Sequence, residues 1–280
     1  MKNVYQRLLI FFLGIPIIVG LIFVNFYEHL VINVVVMIMS ALAANEFYNL
    51  VLPKTKLFSR PLIIILTVMQ PFCSYIFTLL GIDSIVCSWI LVFEILILMG
   101  TECFSLKEFT DSVSRIALST LIIFYCGFMF SFVVKISGIK DYSTYYMCLY
   151  VLLVFMCDSI AWFFGVLFGK NCRGIVAASP NKSIAGFIGG FAGAIFSAVL
   201  MKLIFKDVFP GGYWKIILLA VCCSAATIVG DLIESVFKRS CGVKDSGNFI
   251  PGRGGVLDSI DSLLATAPVF YTLAHFLYHI

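Results

Sequence analysis

The sequence predicts an all-α polytopic membrane protein with about nine transmembrane helices, and three observations carry that prediction. Of the 280 residues, 61% are hydrophobic and only 12% are charged, whereas an ordinary soluble domain is roughly half apolar; mean hydropathy is +1.07. The excess lies in long runs, many near the roughly 18 residues that a membrane-crossing helix needs. The short alternating segments of a membrane β-barrel are absent. A backbone crossing lipid must satisfy its own hydrogen bonds, which leaves helices.

The first run, about residues 8–26, follows Lys2 and Arg7 in the manner of a signal peptide. It is too long and lacks a small-residue cleavage site, so it reads as a retained helix. The other runs fall at about 30–50, 62–81, 85–101, 115–134, 145–169, 184–205, 213–235 and 260–279, with Glu46 interrupting the second and Glu94 the fourth. Phe104–Ser114 mixes Lys, Glu and Asp with Phe and Leu, as an interfacial segment on the inner leaflet does. Placing the N-terminus in the cytoplasm puts Lys2, Arg7, Lys54, Lys56, Arg60, Lys107, Arg115, Lys170, Arg173, Lys182, Lys238, Arg239, Lys244 and Arg253 inside, 14 of the 19 Lys and Arg residues. Lys135, Lys140, Lys202, Lys206 and Lys215 remain outside. This asymmetry predicts N-in, C-out.

The whole chain, 1–280, reads as one membrane domain, with packing helices in 1–140 and working helices and cytoplasmic loops in 141–280. Most polar residues at membrane depth and nearly all glycine clusters fall in the second half. The 10 cysteines form no CxxC pairs and have no His companions; they read as small apolar residues inside helices, without a disulfide framework or zinc site. No nucleic-acid partner is expected.

The stretch Ser235–Asp261 concentrates chemistry. It holds the cations Lys238, Arg239, Lys244 and Arg253, the carboxylates Asp245, Asp258 and Asp261, and five glycines, Gly242, Gly247, Gly252, Gly254 and Gly255. Glycine lets backbone approach phosphate closely, and N–H groups and guanidinium forks carry negative charge. An ordinary positive-inside loop would account for the cations, but not for Pro251-Gly252-Arg253-Gly254-Gly255 leading into paired aspartates. Asp258 and Asp261 share a helix face. They can hold a hard cation such as Mg²⁺ or simply complement the helix dipole. Asp231 and Glu234 repeat the spacing, as metal ligands or in an ion pair with Lys238 or Arg239.

A second cluster holds Asp158 within an apolar run, then Gly165, Gly169, Lys170, Arg173 and Ser179-Pro180-Asn181-Lys182-Ser183. A buried Asp at this depth needs a cation, metal or nucleotide partner. Ser179-Pro180 fits a helix N-cap followed by Pro in the first turn, and Lys182 is the stronger phosphate candidate. Gly186/Gly190 and Gly189/Gly193 match close helix packing better than ligand contact. Glu46 and Glu94 are open between an inter-helix hydrogen bond, a dimer contact and a lipid-pocket role. His275 and His279 read as interfacial.

The loop resembles the signature of the phosphatidate cytidylyltransferase (CDP-diacylglycerol synthase) family, in Ser235, Lys238, Arg239, Lys244, Asp245, Gly247, Pro251, Gly252, Gly254, Gly255, Asp258 and Asp261 at the family spacing. Asp158, Gly165, Gly169, Lys170, Ser179, Pro180, Lys182 and Gly186-Phe-Ile-Gly-Gly are similar to its second stretch. Departures are Arg253 for the family's His, Ser259 for Arg, Ala185 for Glu and Ile184 for Trp. The resemblance implies transfer of CMP from CTP to phosphatidic acid, giving CDP-diacylglycerol and pyrophosphate for phospholipid synthesis. It implies catalytic roles for Asp231, Lys238, Arg239, Lys244, Asp258 and Asp261, with Mg²⁺ on Asp231, Asp258 and Asp261. Substrate contacts would fall to Asp158, Lys170, Ser179, Lys182, Ser235, Asp245, Gly252, Arg253, Gly254 and Gly255. A homodimer in a bacterial inner membrane, its site facing the cytoplasm, is the expected setting. The alternatives are a CTP-dependent lipid kinase of the dolichol or phytol kinase type, a transporter, or a catalytically impaired paralogue.

Overall fold

The computed structural model describes residues 14–83, 85–105, 109–250, 252 and 254–280. Lys2, Arg7, Lys107, Pro251 and Arg253, and the start of the first expected span, lie outside the described residues. The elements are α1 (Ile15–Ile22), α2 (Leu30–Val51), α3 (Arg60–Leu80), α4 (Val86–Ser105), α5 (Ser112–Ile122), a π-helical turn (Ile123–Phe128), α6 (Met129–Ser137), α7 (Ser143–Phe168), α8 (Ile184–Ile204), α9 (Tyr213–Ser240) and α10 (Leu257–Tyr278). Among the described residues there is no strand, only two isolated bridges, and eight helical segments are long and apolar enough to cross a membrane. One of these is α5, the π-turn and α6 taken together, Ser112–Ser137.

The chain divides into two compact units, Met1–Gly138 with Cys241–Ser259, and Ile139–Ser240 with Ile260–Ile280. The 241–256 loop and the first residues of α10 group with the N-terminal helices.

In the first unit α2, α3 and the π-turn pack on one another. Pro61 suits the first turn of α3, where its missing N–H leaves nothing unpaired. Pro71, inside α3, cannot donate to the Thr67 carbonyl four residues back. Gly127 of the π-turn comes so close there that a Cβ would stand 2.5 Å from the Thr67 oxygen. The π-turn frees carbonyls of its own, and Ser40 Oγ donates to the Cys126 oxygen at 2.7 Å. Glu94 accepts from Gln70 Nε2 at 2.5 Å, so it makes an inter-helix hydrogen bond between α4 and α3. Arg115 and Glu102 form a half-buried two-pronged pair, with Nη1 at 3.2 Å from both oxygens. Before α2, Tyr27, Glu28 and His29 all have left-handed φ. The turn is pinned by Asn33 Nδ2 on the Glu28 carbonyl and by Tyr75 OH on the Tyr27 carbonyl.

In the second unit the principal seam joins α7 and α8. A Cβ at Gly189 would stand 2.7 Å from the Phe164 side chain, and one at Gly193 2.7 Å from Ile160 Cγ1. The overlapping small-residue pattern therefore packs helices, as expected. Gly230 brings α9 onto α10 in the same way, against Ala265 and the Asp261 carbonyl. Thr227 and Thr266 share a hydrogen bond across this contact at 2.9 Å, and Tyr150 OH donates to the Leu263 oxygen at 2.8 Å. Lys202 donates to the carbonyls of Phe209 and Gly211, and Lys215 to that of Leu277.

Candidate catalytic site

In the second unit, four helix-borne acids gather around two lysines. Asp231 and Glu234 lie near the end of α9, one turn apart. Asp231 pairs with Lys182, from the loop before α8, and Glu234 pairs with Lys238 one turn further along α9. The Glu234 pair uses one of the cations the sequence offered, whereas Asp231 takes its cation from another segment and not from Lys238 or Arg239. Asp158 of α7 and Asp261 of α10 also act on the Lys182 ammonium. Asp261 is 6% exposed and Glu234 is fully buried, and the charges of Glu234, Asp158 and Lys238 reach the Asp261 carboxyl. Burial pulls Lys182 below the ordinary lysine range; Asp158 and Asp261 oppose that shift, and Lys238 adds to it.

The 169–183 loop that carries Lys182 is folded by local bonds. Gly174 N donates to the Pro180 oxygen at 3.0 Å, and Lys182 N to the Ser179 oxygen at 3.1 Å. The N-cap of α8 is Ser183, whose Oγ accepts from Gly186 N at 3.1 Å. Ser179 was expected in that role; instead Ser179-Pro180 forms a turn before the helix, and the hydroxyl three residues ahead of a first-turn N–H caps it. Arg239 Nε donates to the Ala178 oxygen at 3.4 Å, tying the loop to the end of α9. Lys170 is exposed, and Ser235 is buried.

The signature loop, in the first unit, is built differently. Asp258 Oδ2 accepts from Ser246 N at 2.8 Å, Ser246 Oγ at 2.8 Å and Gly255 N at 2.7 Å. A metal contact by this residue, as expected from its spacing, would fall to its other oxygen. Gly254 has φ +105° and bonds Ile250 in both directions across a small bridge. Gly252 also has left-handed φ. Lys244 and Asp245 are exposed. Ser259, standing where the family signature has Arg, turns its hydroxyl to the Gly255 carbonyl at 3.2 Å.

Sequence reasoning named one participant without assigning its role. Glu46 of α2 is buried and accepts from Val256 N at 2.9 Å and Leu257 N at 2.8 Å. The only available signal was an acid within an apolar span.

The acids can be tested against Mg²⁺. Asp158, Asp231, Glu234 and Asp261 offer carboxylate oxygens beside Lys182 and Lys238, the donor type a hard divalent cation takes. Among the described residues no three His, Cys, Asp or Glu side chains are grouped to cage an ion. Magnesium uses one or two carboxylates and fills its remaining positions with water and phosphate oxygens. In that mode the residues fit it.

Acids of three apolar helices thus meet Lys238 of α9 and Lys182 of the loop before α8. The cytidylyltransferase family model matches residues 5–277, and the chain belongs to that family. It is 33% identical over 185 residues to the phosphatidate cytidylyltransferase of Bacillus subtilis (strain 168), covering 66% of each chain. It is 35% identical over 177 residues to that of Staphylococcus haemolyticus, covering 63% of this chain and 65% of the relative. Against that of Staphylococcus aureus (strain COL) it is 38% identical over 147 residues, 52% of this chain and 54% of the relative. The chain thus spans between about half and two thirds of the length of these relatives.

Proposed function

We propose that this protein transfers the CMP group of CTP to phosphatidate, forming CDP-diacylglycerol and pyrophosphate. The observation that carries the reading is the gathering of Asp158, Asp231, Glu234 and Asp261 around Lys182 and Lys238 in a chain of the cytidylyltransferase family. In the reaction a phosphate oxygen of the lipid bonds to the α-phosphorus of CTP. The bond from that phosphorus to the bridging oxygen breaks, and pyrophosphate leaves with the electron pair. Both substrates are anions, so catalysis is mainly positioning and charge neutralisation. Lys182 and Lys238, released from their carboxylates, would hold phosphate oxygens. The exposed Lys170, Arg239 and Lys244 would draw the nucleotide in. Asp231 and Asp261 would hold Mg²⁺. The ion, when bound, neutralises polyphosphate charge and stabilises the leaving group.

If each of the eight spans crosses once, the loops at 52–59, 169–183 and 241–256 share one face of the membrane. These loops and the adjoining helix ends carry most of the Lys and Arg residues, which supports a cytoplasmic face in a bacterial inner membrane. We extend the homodimer of the resembling family to this chain.

The test is incubation of the purified protein in phosphatidate vesicles with Mg²⁺ and CTP labelled on the α- or the γ-phosphorus. Lipid that takes up only the α-label supports the proposal. Uptake of γ-label would make the protein a lipid kinase, and no uptake of either would refute the activity.

A further inference from the structure

The loop that carries the signature is held from outside itself. Glu46, 9% exposed on α2, places Oε1 2.9 Å from Val256 N and Oε2 2.8 Å from Leu257 N. Its Oε2 also lies 3.2 Å from Ser246 Oγ. Val256 and Leu257 stand at the start of α10, where backbone N–H groups have no partner within the helix. A helix start of this kind is ordinarily capped by a neighbouring Ser, Thr, Asp or Asn of the same segment. Here the cap comes from a carboxylate about 210 residues earlier in the chain, and its charge suits the positive end of the helix dipole.

The loop's glycines supply a second, independent observation. A Cβ on Gly247 would stand 2.6 Å from Glu46 Oε1, and one on Gly255 would collide with Glu46 Oε2 and with Ser246 Oγ. Neither glycine has left-handed φ, so conformational freedom does not explain them. They leave room for the Glu46 carboxylate to reach the backbone. Asp258 grips the same loop from within, through Ser246 and Gly255. Ser246 Oγ lies between the two acids, and its single hydrogen serves one of them at a time.

We propose that Glu46 is a positioning residue: it holds the 246–257 backbone in the shape that the nucleotidyl-transfer reaction needs, without touching substrate. That role rests on the activity proposed above. It assigns two of the signature glycines, Gly247 and Gly255, to the contact with Glu46 and not to phosphate. It also ties the signature loop to the otherwise passive N-terminal helices.

The test uses the full chain, comparing Glu46→Gln, Gly247→Ala and the double variant with the unmodified protein. Hydrogen exchange is read on the peptide covering 246–258, and kcat and KM on CTP and phosphatidate. In Glu46→Gln one acceptor becomes a donor facing an N–H, so Val256 and Leu257 should exchange roughly tenfold faster. kcat should fall by roughly 10²-fold, the scale of a small displacement in a positioned site, with a smaller change in KM. Gly247→Ala displaces the same carboxylate and should reproduce the loss. In the double variant the losses should not add. Should Glu46→Gln fail to fold, Gly247→Ala carries both readouts alone. Unchanged exchange at Val256 and Leu257 would overturn the proposal. So would faster exchange with unaltered kcat and KM, which is the mark of a purely structural clamp, and so would additive losses. If the unmodified protein makes no CDP-diacylglycerol, the proposed activity fails and the positioning role with it, while the exchange data still decide whether Glu46 holds the loop.

Discussion

The two units of this protein use their carboxylates in opposite ways. In the first, Glu46 and Asp258 are met by backbone N–H groups and a serine hydroxyl, so their charge is spent on holding a loop. In the second, Asp231 and Glu234 face ammonium groups, and Asp158 and Asp261 act on the same lysine. Hydrogen bonds from fixed backbone leave a carboxylate little freedom to change partners. An ion pair with a flexible lysine can open when a phosphate or a metal offers a better partner for each side. The difference separates acids held by fixed backbone from acids paired with mobile charges.

The strongest way to break that comparison is Asp261→Asn. Removing this charge should lower kcat by roughly 10²–10³-fold and raise the Mg²⁺ concentration needed for half-maximal rate. If Asp258→Asn shifts the Mg²⁺ requirement by as much, Asp258 belongs with the working acids and the division collapses. A middle-sized effect concerns the scaffold of the second unit alone. Gly193→Val would press on Ile160 Cγ1 and the Met156 carbonyl. Overpacking of this kind costs about 1–3 kcal/mol, read as a lower unfolding temperature in detergent, while Gly20→Val, which meets nothing, should cost far less.

The smallest effect sharpens the first unit. His29 is buried at the turn before α2, and burial lowers its pKa below the ordinary histidine value, despite opposing contributions from the Ile22 carbonyl and Glu28. The unfolded chain therefore binds the proton more readily than the folded one. Stability is level above the unfolded value near pH 6.5 and declines as pH falls through the window below it. Thermal unfolding between pH 7 and pH 5 should show the decline. His29→Gln should flatten it, and an unchanged slope in that variant would place the acid sensitivity elsewhere.

Much of the architecture was legible because hydropathy and helix spacing are local properties. Each expected span from the second onward overlaps an observed helix, since a run of apolar residues in lipid has no other way to satisfy its backbone. Gly189 and Gly193 were legible as packing residues for the same reason: their four-residue spacing alone puts them on one helix face. The acids at 231, 234, 258 and 261 were visible as helical pairs in the sequence. Their partners were not.

What the sequence by itself determined is the set of helices and a family signature with its acids one turn apart. Only the tertiary structure decided that Asp231 takes Lys182, that Ser183 caps α8 in place of Ser179, and that Glu46 closes the signature loop. The physical reason is that a charge buried in a membrane helix requires a partner without specifying which one. Close packing selects it, at places such as Gly247 and Gly255 where a missing side chain lets a distant carboxylate reach the backbone.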